Sequence, residues 1–195
     1  MYPKISVKIL TIALLLSSFS PALAQADWTT TKTADLNQYD QVRYAQLLPA
    51  EKTALQTLTA PALQQCAAAD PKFDAADAFQ HVRARRTELG TGTPGFVVEG
   101  TGCLCNAGNC QFWIVTADMQ TLFQGFAQTY ALLPQATTGR YDLVTASHVS
   151  TTESTRAFYK FDGTQYQPTQ CAQISLSNAF GAVQMKPSIT IQKCQ

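Results

Sequence analysis

The sequence predicts an α+β domain in which N-terminal short helices pack on a curved antiparallel β-meander of about six to eight strands, braced by disulfides. Three observations carry this expectation. An early stretch repeats its apolar residues at three and four, the helical period. Later, β-branched and aromatic runs follow one another at short spacing, separated by turn residues. Six cysteines, an even number, lie behind an N-terminal segment built for export.

The export segment pairs a short basic end, Lys4 and Lys8, with an apolar run from Ile9 to Leu16 and a small-residue exit, Ala22-Leu23-Ala24-Gln25-Ala26. This is the pattern of a secretory signal peptide, expected to be cleaved after Ala24 or Ala26. Serine and proline cut the run short of the roughly 20 apolar residues that a spanning helix needs. The expected organisation is a signal peptide at residues 1–26 and a single secreted, disulfide-containing domain at residues 27–195. No membrane span is expected after cleavage, and the localisation is expected to be periplasmic or secreted.

Composition narrows the function classes. Of the 195 residues, 46% are apolar and only 14% charged, against roughly 25% charged in typical soluble domains, which argues against disorder and coiled coil. The formal charge is +1, and loss of Lys4 and Lys8 with the signal leaves 12 basic residues against 13 acidic ones. Such a chain has no field to attract nucleic acid or an anionic membrane.

The elements follow in order. Residues 27–46 are polar and threonine-rich with Trp28, Tyr39 and Tyr44, an extended lead-in that docks by its rings. Leu48, Leu55, Leu58, Ala62 and Leu63 recur at helical spacing, but Pro61 divides the pattern into two short helices, the second capped by Thr59 and stopped at Asp70-Pro71. The stretch from Phe79 to Leu89 reads either as a helix, with Phe73, Ala76, Phe79 and Val82 on one stripe, or as a strand. The Gly-rich loop from Gly90 to Gly95 and the run Phe96-Val97-Val98 favour a strand hairpin. Strand candidates follow at 111–116, 121–126, 129–133, 141–147, 156–161 and 165–169, with Asp162-Gly163 a tight-turn signal between the last two. The tail after Ile174 is less periodic, and Cys194 is expected to staple it back.

Cys66, Cys103, Cys105, Cys110, Cys171 and Cys194 imply up to three disulfides among 15 pairings. The turn residues Asn106 to Asn109 suggest Cys105 with Cys110, leaving Cys103 for a distant partner, and Cys66 with Cys171. Two sharper readings compete. Three thiolates with His148 would make a zinc site, but the spacing lacks the usual Cys-x₂-Cys pairs. A Cys-x-Cys redox pair would need a lowered thiol pKa, and the charges near it in sequence, Glu99 and Asp118, have the wrong sign. Disulfides are therefore expected, with no metal and no cofactor.

At Cys103-Leu104-Cys105 with Asn109-Cys110-Gln111-Phe112-Trp113, and at Tyr159-Lys160-Phe161-Asp162-Gly163-Thr164-Gln165-Tyr166, the chain resembles uncharacterised exported proteins of bacteria. In these a Gly- and Cys-containing turn precedes an aromatic strand, and a later hairpin reads aromatic-x-aromatic-Asp-Gly-x-x-Tyr. The resemblance spans Gly95 to Cys171. It implies a periplasmic setting and β structure, and it brings no activity and no functional residue with it.

Chemistry has few places to reside. His148 is the catalytic candidate, with a neighbouring hydroxyl as nucleophile and Asp142 or Glu153 to orient it. Asp142 on the same strand would lie about 20 Å away, too far for a hydrogen bond. The binding candidates are His81, Arg83 and Arg85, which would line one face of a strand and receive a carboxylate, a phosphate or an acidic surface, together with Trp113 on an aromatic face. The alternative for the arginines is a solvated face that deters edge pairing, and for the aromatics, including Phe112, Phe123, Phe126, Tyr130, Tyr159 and Tyr166, simple core filling. The expectation is an exported binding or interaction protein, inhibitor- or immunity-like, whose partner is an unknown protein or small polar ligand of the cell envelope. The alternatives are a minor hydrolase using His148 and a structural envelope protein.

Overall fold

The computed structural model describes residues 47–69, 78–177 and 186–194. The expected signal peptide, the aromatic lead-in, the Asp70-Pro71 stop and residues Phe73 and Ala76 lie outside the described residues.

Helix α1 spans Pro49–Ala69. Its start combines two local devices. Pro49 takes the first helical position, where its missing N–H costs nothing. Three positions after Leu48, Glu51 turns back to accept the Leu48 N–H at 2.8 Å, one half of a capping box. The expected break at Pro61 does not occur, and α1 is one helix of 21 residues. Thr59 is no cap: it is fully buried, and its hydroxyl donates to the Leu55 carbonyl one turn back at 2.8 Å. The physical reason is packing. Leu55, Thr59, Ala62, Leu63 and Cys66 form one buried stripe that continues through the proline, and a break would turn part of it away from the sheet. Burying a leucine is worth about 1.5–3 kcal/mol, so Leu55 and Leu63 offset the roughly 3 kcal/mol that an interior proline costs.

Among the described residues ten strands follow instead of one shorter meander: β1 Val82–Gly90, β2 Thr93–Gly100, β3 Cys105–Asn106, β4 Asn109–Thr116, β5 Thr121–Ala127, β6 Thr129–Thr137, β7 Arg140–Ser150, β8 Glu153–Phe161, β9 Tyr166–Ser177 and β10 Lys186–Gln192. They form two five-stranded antiparallel sheets. In the first, β1 pairs β2, β2 pairs β4, and β4 pairs β5, while the two-residue β3 pairs the start of β4. The second is an uninterrupted meander from β6 to β10. The β1–β2 hairpin confirms the strand reading, although its loop is only Thr91-Gly92 and residues 78–81 form a 3₁₀ turn ahead of β1.

The chain changes sheets at Gln128. Its N–H donates to the Ala146 carbonyl of β7 at 2.8 Å rather than to β4. From there Thr129↔Ala146 opens the second ladder. One continuous sheet would leave an apolar face uncovered, whereas two sheets cover each other.

Three layers result. On one face of the first sheet, Val82, Ala84, Phe96, Val98, Trp113 and Val115 pack against α1. On the other, Leu89, Val97, Phe112 and Ile114 pack against Tyr130, Leu143, Phe161 and Tyr166 of the second sheet. Strands β2 and β4 are thus buried on both faces, which is why Phe96-Val97-Val98 and Phe112-Trp113-Ile114-Val115 read as continuous apolar runs.

Three disulfides brace these layers, the usage of exported proteins. Cys105–Cys110 crosses the β3–β4 hairpin as expected. The expected Cys66–Cys171 bond is replaced by Cys66–Cys103, because α1 packs beside the 3₁₀ turn Gly102–Leu104 that carries Cys103, whereas Cys171 sits in the second sheet. Cys171–Cys194 ties the chain end after β10 to β9. Among the described residues no helix is long and apolar enough to cross a membrane.

Candidate ligand groove

An open groove of about 460 Å³ lies along β5, at the mouth between the two sheets. One wall is six consecutive residues, Thr121 to Phe126; the other is Tyr159, Gln165 and Tyr166. Successive side chains of a strand point to opposite faces. A single void therefore touches six in a row only along the strand's edge, where backbone N–H and C=O groups are presented.

Local chemistry places each wall. Ahead of β5, Thr116 closes a tight loop: its backbone N–H donates to the Gln120 carbonyl at 3.0 Å, the Gln120 N–H donates to its Oγ1 at 2.9 Å, and its hydroxyl donates to Asp118. This delivers Thr121 into the ladder. Among the described residues, strand β5 pairs only with β4. Gly125 has room on one face for the Phe123 ring, which lies where a Cβ would be, 2.8 Å from its ideal position. The ring is thereby held against Phe112, 5.1 Å between centroids, and edge-on to Tyr159 at 4.9 Å.

The opposite wall is set by the β8–β9 turn. The Asp162 carboxylate accepts the N–H groups of Thr164 and Gln165 at 2.7 and 2.8 Å, and the Asp162 N–H donates to the Gln165 carbonyl at 3.0 Å. Those N–H groups, Gln165 first, hold the Asp162 carboxyl below the ordinary range. Tyr166 spends its hydroxyl on the Tyr141 carbonyl at 2.8 Å, and burial pushes its phenol up to about 12. It offers the groove a ring rather than a donor. Phe126 is 55% exposed.

Among the described residues, none that lines the groove is charged. The site combines phenyl and phenol rings, a backbone edge and two glutamines. That is equipment for holding an uncharged polar or amphipathic ligand.

The residues singled out from sequence lie elsewhere. Trp113, expected on a binding face, is 1% exposed and packs in the core beneath α1, because β4 is covered on both sides. Of the expected row of His81, Arg83 and Arg85, the two arginines lie two apart on β1 and share a face, while His81 falls outside the strand. His81 sits in the 3₁₀ turn, its ring against Gly102 and its carbonyl accepting the Thr101 N–H at 2.7 Å. Arg83 is exposed on β1 opposite Glu99. Arg85 reaches between the sheets and donates to the Tyr130 hydroxyl at 3.2 Å, which in turn donates to Glu99.

His148 lies on β7 opposite Ser154, with Ser150 opposite Glu153. Its backbone is held by Asn109, and its imidazole has no hydroxyl or carboxylate partner among the described residues. All six cysteines are in disulfides, so no thiolate is left to ligate a metal with His148 or to act as a redox nucleophile.

The groove residues Phe123, Phe126, Tyr159 and Tyr166 are read from sequence only as strand aromatics. The available signal is in β5 itself, Thr-Leu-Phe-Gln-Gly-Phe-Ala, a strand without charge or proline. Compared with protein-family models, with curated proteins and with solved structures, this chain matches none.

Proposed function

We propose that the chain is an exported binding protein, periplasmic or secreted, whose ligand site is the groove along β5. In this reading residues 1–26 direct export, and residues 27–195 form one domain that acts on a partner of the cell envelope as an inhibitor or immunity-like protein would. The observation that carries it is the groove: an open, uncharged, aromatic-walled channel beside a strand edge, in a molecule otherwise braced by three disulfides. Rigid scaffolding around a preformed concave site is what binding at low entropic cost requires.

The test is affinity capture from envelope extract with the mature protein and with Phe126→Ala and Tyr159→Ala variants in parallel. A species retained by the wild type and lost by both variants is the expected outcome. Identical capture by all three proteins places the binding surface elsewhere.

A further inference from the structure

Resting on that reading, we infer that the ligand is an extended, uncharged peptide segment that adds to the first sheet as a strand alongside β5.

The direction of the β5 backbone carries the inference. The Phe126 carbonyl faces away from β4, since it accepts a hydrogen bond from the Ser147 hydroxyl of β7 at 3.1 Å, and the Gln128 N–H points the same way, to Ala146. Backbone groups alternate between the two edges of a strand. Gln124 therefore turns both its N–H and its C=O outward, and Phe126 its N–H, along the wall of the groove. A bulge at Leu122, where Ile114↔Phe123 is followed by Val115↔Thr121, bounds this open stretch on one side, and the Ser147 bond bounds it on the other. An extended peptide supplies donors and acceptors at the two-residue repeat of a strand, about 6.8 Å. A sugar or small polar molecule has no such repeat.

The other terminal strands support the same assignment. Natural sheets guard their edges with charge or proline. Strand β1 carries Arg83, Arg85, Arg86 and Glu88, β6 carries Pro134, β10 carries Pro187, and β3 is guarded by being only two residues long. Strand β5 has neither device, and it is the terminal strand that borders the groove. The incoming side chains alternate as well, one set meeting Phe123, Tyr159 and Tyr166. The absence of charge in the lining selects uncharged residues at those positions.

The experiment uses the mature protein and two probe sets: octapeptides alternating threonine with valine, leucine, phenylalanine or tyrosine, and neutral glucose oligosaccharides, both followed by fluorescence anisotropy. The best peptide is then N-methylated one amide at a time. Strand addition predicts that methylation at alternate amides weakens binding tenfold or more while methylation at the intervening ones changes it less than twofold. It also predicts loss of peptide binding in Gln124→Pro, which removes the outward N–H, and in Gln124→Lys, which installs an edge charge. Unchanged circular dichroism in Gln124→Lys separates lost binding from lost folding. Saccharide binding that Gln124→Lys and Phe126→Ala weaken, with no peptide binding, overturns the peptide inference and leaves the groove reading intact. Binding of neither probe set, with capture in extract insensitive to Phe126→Ala, overturns both. Concentration-dependent dimerisation abolished by Gln124→Lys makes the occupant a second copy of this chain, which also overturns it.

Discussion

The Asn109 side chain clasps the backbone of His148 from both directions: its Nδ2 donates to the His148 carbonyl at 2.8 Å and its Oδ1 accepts the His148 N–H at 2.7 Å. A primary amide presents a donor and an acceptor side by side, as a peptide unit does. Asn109 therefore stands in for a neighbouring strand where β7 runs past the end of its pairing with β6 at Ala146. It also joins the start of β4 in the first sheet to β7 in the second. Asn109→Ala should cost about 1–3 kcal/mol, since both partners are left part-buried and unpaired. Urea unfolding of the variant measures this, and a loss below about 0.5 kcal/mol would mean that water replaces the clasp at no cost.

Between the sheets, Tyr130 links Arg85 to Glu99 and stacks on Phe112 at 4.7 Å. Burial, reinforced by the Glu99 charge, pushes its phenol far above the ordinary tyrosine value; burial likewise pushes Tyr166 up to about 12. Folded values above the unfolded one mean that this stability is fully present below the unfolded pKa of about 10 and is lost as pH rises above it. The domain should therefore weaken from about pH 10 towards 12, with phenolate absorbance from Tyr130 developing only together with unfolding. Tyr130→Phe should delete that delayed component while costing about 1–3 kcal/mol at pH 7 through the loss of the hydroxyl bridge. Smooth ionisation of Tyr130 in the folded protein would contradict this.

The three disulfides should differ in what they contribute. Cys66–Cys103 closes a separation of 37 residues, Cys171–Cys194 one of 23 and Cys105–Cys110 one of 5. On the chain-entropy account these are worth about 4, 3 and 2 kcal/mol. Replacing each pair by serine and measuring urea midpoints should give that order, with the loss of Cys66–Cys103 the most damaging because it also frees α1 from the sheet. A greater loss from the Cys105–Cys110 pair would show that the β3–β4 hairpin matters more than loop closure.

Pro61 is exposed in the middle of α1. Pro61→Ala should stabilise the protein by about 2 kcal/mol, the helical cost of roughly 3 less the up to about 1 kcal/mol by which proline restricts the unfolded chain. Thermal unfolding reads the sign directly. A lower melting temperature would show that the proline sets a bend on which the packing of Leu63 and Cys66 depends.

Much of the second sheet was legible because its signals are local. Turns such as Asp162-Gly163, where Gly163 holds φ of 109°, and the alternating runs around them place β6 to β8 and the start of β9 within a few residues. Strand β10 and the extension of β9 to Ser177 escaped, since Lys186–Gln192 carries only two large apolar side chains, Ile189 and Ile191, and draws its order from pairing with β9. The groove escaped for a different reason. Phe123 and Tyr159 belong to different sheets, and no spacing along the chain brings their rings to 4.9 Å.

Period, turn chemistry and cysteine count are properties of neighbouring residues, so the sequence by itself determined that this chain is β-rich, carries a helical segment ahead of its strands and is bound by sulfur. Which sheet a strand joins, that Cys66 meets Cys103, that Trp113 is core and that β5 borders a groove between the sheets are long-range outcomes. They were decided when α1 and the second sheet competed to cover the two faces of β2 and β4, because burial is settled by what lies across a surface and not by what comes next in the chain.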